Sequence, residues 1–147
     1  MKHAQFTEQT LPALVVSKDN YKRIVDLAMF AEERAPEVAS VLLAEMERAH
    51  VVPTEVMPAS AVQMGSTVLY RTNAGEERRV TLVYPGEADI SQGKISILTP
   101  IGAALIGLSA SQSITWMARD GREHQLTVLD VVPPAATARS DFALEQA

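Results

Sequence analysis

The 147-residue chain contains no cysteine. That excludes a disulfide framework, a thiolate metal site and a cysteine nucleophile. Aromatic residues are scarce at 5%, too few for a platform on which bases would stack. No run approaches the roughly 18–20 apolar residues of a membrane helix, and Met1–Thr10 is polar, without the apolar centre of a signal peptide. These features predict a cytoplasmic protein with no membrane contact. Basic charge is also short: 13 Lys and Arg against 18 Asp and Glu give a net charge of −5. A broad, direct footprint on nucleic acid is therefore not expected, although a protein partner that itself binds nucleic acid is compatible with this charge.

Catalytic signatures are missing as well. Gly107-Leu108-Ser109-Ala110-Ser111 lacks the second glycine of a Gly-x-Ser-x-Gly nucleophile elbow. There is no Walker loop and no dinucleotide fingerprint. His3, His50 and His124 lie far apart, in different predicted elements, with no partner at metal-ligand spacing. The residues point to no enzyme activity, no metal and no cofactor.

What is present is a sequence of two halves. Ser17 is a good helix N-cap with Asp19 in the first turn. Tyr21, Ile24, Val25 and Ala28 then recur on one helical face. The pattern weakens over Phe30–Arg34, and the residue before Pro36 disfavours helical geometry. Pro36 restarts a helix whose stripe is Val38, Val41, Leu42, Met46 and Ala49, with Glu32, Glu33, Glu37, Glu45 and Glu47 around or opposite it. Two such helices with a short connection pack antiparallel, so the first half is a helical hairpin.

Beyond Pro53 and Pro58 the period changes to two. Thr67–Thr72 and Arg78–Tyr84 flank the turn Asn73-Ala74-Gly75-Glu76 and read as a β-hairpin. After a loop over Pro85–Gly93, Lys94–Leu98 is a strand. Thr99 caps, and Pro100 begins, one short apolar helix that Gly107 can end in a left-handed conformation. Ser113–Met117 and Gln125–Val132, around an Asp120-Gly121 turn, close the sheet before Pro133-Pro134. The predicted class is α+β: a short N-terminal antiparallel helical hairpin, then an antiparallel sheet carrying one short helix. The expected divisions are a lead-in over 1–16, whose apolar Leu11–Val16 reads as a short strand or an extended segment, the hairpin over 17–50, a linker over 51–60, a C-terminal domain over 61–134 and a flexible tail over 135–147.

Three stretches carry a resemblance. They are Leu43-Ala44-Glu45-Met46-Glu47-Arg48-Ala49, Val80-Thr81-Leu82-Val83-Tyr84-Pro85, and Thr99-Pro100-Ile101-Gly102-Ala103-Ala104-Leu105-Ile106-Gly107-Leu108 followed by Ser113-Ile114-Thr115-Trp116. In this order they resemble the family of regulators of nucleoside diphosphate kinase, relatives of the bacterial Gre transcript-cleavage factors with a shortened coiled coil. The resemblance implies a C-terminal domain of FK506-binding-protein-like fold that docks on the rim of the RNA polymerase secondary channel, with a coiled coil aimed into the channel. It implies modulation of transcription in competition with Gre factors, by a chain expected to act as a monomer. It also implies a functional link to nucleoside diphosphate kinase.

The resemblance marks two groups of residues. Thr99, Pro100 and Ile101 correspond to a Ser-Pro-Ile turn of the Gre factors that faces the polymerase; the same residues also read as a helix cap with a buried Ile101. Glu32, Glu33 and Glu37 stand at the hairpin tip, where Gre factors carry acidic residues that help hold magnesium; they also read as a solvated helix end. Helices of about 13–17 residues are roughly 20–25 Å long, short for reaching a deep active centre, so efficient transcript cleavage is not expected. Arg71, Arg78 and Arg79 read as a solvated strand face, with contact to the polymerase or to nucleic acid near it as the second reading. Trp116 reads as packing, and Phe6, Phe30 and Phe142 fall outside the predicted sheet, which leaves no aromatic pocket for prolyl isomerisation. The remaining alternatives are an adaptor that binds the kinase directly, a weak cleavage stimulator and a weak prolyl isomerase.

Overall fold

The computed structural model describes residues 5–6, 12–117 and 121–134. His3, Phe142, Asp120 of the expected turn and the tail over 135–147 lie outside the described residues. Strand β1 is Gln5–Phe6 and β2 is Val15–Ser17. Ser17 ends β2 and caps α1 (Lys18–Phe30): its hydroxyl accepts from the Asn20 N–H at 3.1 Å. Ile24 and Ala28 of the predicted stripe are buried. A five-residue turn follows, and Pro36 at the first helical position starts α2 (Pro36–Arg48). Its fixed φ suits that position, and its missing N–H leaves no bond unmade. Ala39, Leu42 and Met46 are buried on α2. Glu45 is buried with them, only 2% exposed, and not on the outer face where the spacing placed it. The reason is Arg48, one turn on, whose Nη2 lies 2.8 Å from Glu45 Oε1 and whose Nη1 donates to the Pro12 carbonyl. A paired carboxylate tolerates burial that a lone one does not.

The segment expected as a linker begins as strand β3 (His50–Val52), which runs parallel to β2 in the register Val15↔His50, Val16↔Val51, Ser17↔Val52. Two β-branched pairs, Val15-Val16 and Val51-Val52, meet here. Leu14 and Val16 are buried, so the end of the lead-in belongs to the core. The Val15 N–H donates to the Gly107 carbonyl at 3.1 Å, which joins this clasp to the second half. The rest of 51–60 holds a single 3-10 turn, Thr54–Val56, and Ala61 then bridges to Ser109.

The main sheet has the order β1-β7-β8-β4-β5-β6, with β4 Thr67–Thr72, β5 Glu77–Val83, β6 Lys94–Ser96, β7 Ser113–Met117 and β8 Glu123–Val132. All neighbours are antiparallel except β5 and β6. The parallel pair arises because the loop over 84–93 carries the chain back through two 3-10 turns before β6 begins. Strand β6 stops at Ser96, two residues short of expectation, because the Ser96 hydroxyl accepts from the Leu98 N–H at 2.9 Å and turns the chain. Phe6, read as outside the sheet, lies in β1 opposite Trp116. Helix α3 (Pro100–Leu105) is buried at Gly102, Ala103, Ala104 and Leu105. One contiguous core joins the hairpin (Ile24, Leu42, Met46), the lead-in (Leu14, Val16) and the sheet domain (Val68, Leu82, Leu105, Ile114, Leu126). Each such Leu or Ile contributes about 1.5–3 kcal/mol by leaving water.

Candidate partner-binding site

The two groups singled out in the sequence lie on separate elements. The first is the turn between β6 and α3. Thr99 Oγ1 donates to the Ser96 carbonyl at 2.7 Å and accepts from the Gly102 N–H at 3.0 Å. The Thr99 N–H also reaches the Ser96 carbonyl, at 3.1 Å. The hydroxyl is thus fully used inside the turn. Gly102 explains how α3 comes so close: a Cβ there would sit 2.2 Å from the Ser96 oxygen. Gly107 has the expected left-handed φ, +83°, but the helix stops before it: Ile106 has already left helical geometry, and Gly107 forms the turn after α3, packed against Leu14. Pro100 is exposed and Ile101 half-buried, so the turn offers these two side chains on a backbone tied down by the Thr99 and Ser96 hydrogen bonds.

The second is the hairpin tip. Glu32 and Glu33 are exposed in the turn, and Glu37 is half-buried in the first turn of α2, where the helix dipole favours a carboxylate. Among the described residues no group of three or more His, Cys, Asp or Glu side chains is placed to hold a metal ion. The sequence reading passed over two residues beside these carboxylates, Met29 and Phe30, which are 59% and 83% exposed. For Phe30 the available signal was its place off the Tyr21-Ile24-Val25-Ala28 stripe, whereas Met29 follows Val25 by four residues at the stripe's edge.

The hairpin is set on the sheet domain by polar contacts as well as by the core. Asn20 Oδ1 accepts from the Met64 N–H at 3.1 Å, and the Asp19 N–H donates to Thr54 Oγ1 at 3.3 Å. The Arg23 guanidinium lies 4.0 Å above the Tyr84 ring, a cation–π contact. Burial pushes the Tyr84 hydroxyl pKa up, with the Arg23 charge opposing. Burial likewise raises Glu45, against the pull of Arg48. The arginines of the first β-hairpin are largely answered locally: Arg71 pairs with Glu77 at 2.9 Å and Arg78 with Glu76 at 3.7 Å, while Arg79 is exposed. Trp116 is 5% exposed and stacks on His124 with ring centroids 5.6 Å apart, and His50 is exposed on β3. No helix among the described residues is long and apolar enough to cross a membrane.

Comparison with known proteins divides the chain where the structure changes character. Residues 12–52, the clasp and the hairpin, match the family model "Rnk N-terminus". Residues 57–133 match "Transcription elongation factor, GreA/GreB, C-term". The regulator of nucleoside diphosphate kinase of Escherichia coli (strain K12) is 35% identical over 121 residues, 82% of this chain and 89% of that protein. The transcription elongation factor GreA of Pelobacter propionicus is 42% identical over 86 residues, 58% of this chain and 52% of that protein, so the chain spans only about half of GreA. A solved structure of a prokaryotic transcription elongation factor GreA/GreB from Nitrosomonas europaea is 36% identical with a TM-score of 0.65, covering 81% of this chain and 98% of the other. These relatives are named as regulators or transcription factors. The chain belongs to the family of the regulator of nucleoside diphosphate kinase, with a C-terminal domain of the GreA/GreB type.

Proposed function

We propose that this protein is a non-enzymatic, cytoplasmic regulator that binds bacterial RNA polymerase at the secondary channel and modulates transcription in competition with Gre factors. The observation that carries this reading is the GreA/GreB-type domain with its locked Thr99-Pro100-Ile101 turn. A fixed backbone that presents Pro100 and the edge of Ile101 suits recognition, because little conformational freedom is lost on docking. The tip with Glu32, Glu33 and Glu37 then faces the channel. Helices α1 and α2 have 13 residues each, about 20 Å. That length supports lining or plugging the entrance rather than efficient transcript cleavage. The protein acts as a monomer without a cofactor, and it meets nucleic acid only through the polymerase.

The test is equilibrium binding to core RNA polymerase with a Gre factor as competitor. Displacement by the competitor is the expected result, and Pro100→Arg weakens binding by about tenfold, the cost of losing one well-placed contact. Binding that the competitor leaves untouched would remove the channel from the reading. The family name favours a second reading, an adaptor that contacts nucleoside diphosphate kinase. Co-purification of the two purified proteins decides that case.

A further inference from the structure

The far end of the hairpin carries two large apolar side chains that have no place in the fold. Phe30, the last residue of α1, is 83% exposed, and Met29 beside it is 59% exposed. Neither belongs to the face that buries Ile24 and Ala28. The backbone that presents them is tightly held. The Ala31 N–H reaches the carbonyls of Leu27 and Ala28 at 2.9 and 3.2 Å, the Ala35 N–H donates to the Ala31 carbonyl at 2.8 Å, and Ala31 is buried. Both side chains are therefore offered from a preformed position.

Their surroundings select the partner. Between residues 26 and 37 the chain carries four carboxylates, Asp26, Glu32, Glu33 and Glu37, against one guanidinium, Arg34. An anionic lipid surface or a nucleic acid would be repelled by this ring. Tip-to-tip pairing with a second copy would bring like charges together. It would also bury two side chains per protomer, far short of the roughly 800 Å² per partner of a stable interface. A concave apolar pocket with a basic rim satisfies both the side chains and the ring.

We propose that Phe30, with Met29 beside it, is an apolar plug that seats in a basic-rimmed apolar pocket of the polymerase channel. This rests on the reading above that the polymerase is the partner. The plug supplies affinity that salt does not screen, and the carboxylate ring supplies orientation that salt does screen.

The experiment measures binding of the full chain to core RNA polymerase at about 0.1 and 0.3 M salt. It compares wild type, Phe30→Ser, Phe30→Leu, Glu32→Gln/Glu33→Gln and Pro100→Arg. Phe30→Ser is expected to weaken binding by about tenfold at both salt concentrations, as loss of an anchor does, with Phe30→Leu restoring most of it. Glu32→Gln/Glu33→Gln is expected to weaken binding only at the lower salt. Thermal unfolding of Phe30→Ser should match wild type, since the side chain is in water. If the wild type binds, Pro100→Arg weakens it and Phe30→Ser does not, the plug is overturned and the docking turn stands. If the wild type does not bind, the polymerase reading falls and the plug falls with it. Concentration-dependent dimerisation that Phe30→Ser abolishes would overturn the proposal in favour of a second copy. Anionic-vesicle binding lost in the same variant would overturn it in favour of a membrane.

Discussion

The turn before α3 and the tip of the hairpin are both short connections that present side chains to solvent, yet they are built in opposite ways. At the first, most polar groups are consumed internally: the Thr99 hydroxyl makes two bonds, Ser96 makes several, and Gly102 lies close against the Ser96-Ile97 backbone. At the tip only Ala31 is buried, and Met29, Phe30, Glu32, Glu33 and Arg34 project freely. The fold thus makes the first turn part of its own stability and leaves the second available for change. Substitutions in the α3 turn are therefore expected to alter folding, whereas substitutions at the tip are expected to leave it nearly unchanged.

Four experiments break or sharpen this contrast. The largest effect is expected from Leu42→Ala, which empties a fully buried position in the core shared by the two halves. A loss of about 3 kcal/mol in denaturant unfolding is expected, with one transition seen by all probes. Two transitions would show that the hairpin and the sheet domain unfold separately. Next is Gly102→Ala, which places a methyl 2.2 Å from the Ser96 oxygen. Overpacking of this kind costs about 2 kcal/mol, and the Thr99 turn should shift in the amide spectra. An unchanged midpoint would mean the turn is more plastic than its contacts indicate. Thr99→Ala removes the cap bond to Gly102 and should cost about 1 kcal/mol. Glu32→Ala, at an exposed tip position, should fall within about 0.5 kcal/mol of wild type; a larger loss would show that the tip, too, supports the fold.

A smaller, pH-dependent effect comes from Glu45. Burial raises its pKa above the ordinary 4.5 despite the neighbouring Arg48. A raised pKa in the folded state means that Glu45 holds its proton more tightly there than in the unfolded chain. Its contribution is therefore whole below about pH 4.5 and is lost as pH rises through the folded value. The stability of wild type relative to Glu45→Gln should fall over that window, as thermal unfolding from pH 4 to pH 8 would show. A flat difference would mean that Glu45 ionises as freely as an exposed carboxylate.

Much of this architecture was legible locally. The caps at Ser17 and Thr99, the proline starts at Pro36 and Pro100, and the two helical stripes depend on neighbours within four residues, and each formed where its residues indicated. What was not legible depends on distant partners. The Val15-Val16 run allowed a short strand at β2, but its partner β3 is only three residues long and lies beyond the whole hairpin, so nothing local named the pairing. The parallel pairing of β6 depends on the path of a ten-residue loop. Glu45 lies in a position that charge alone assigns to solvent, and only its partnership with Arg48 and the Pro12 carbonyl admits it to the core. The exposure of Met29 was hidden because it follows Val25 by four residues and so continues the helical stripe, whereas Phe30 lies off that stripe.

The parallel pairing of β2 with β3 has a consequence for how the arm can vary. Entry to α1 and exit from α2 are stitched side by side, Val15 to His50 and Ser17 to Val52, at the root of the hairpin. Everything outboard of that stitch is a loop held at a fixed gauge, much as a blade is held by its ferrule. Lengthening both helices by two turns at the outer end would extend the reach by roughly 10 Å and leave the root, the seam with Met64 and the turn at Thr99 where they are. Arm length and seating are therefore separable properties of this fold, each free to change without the other.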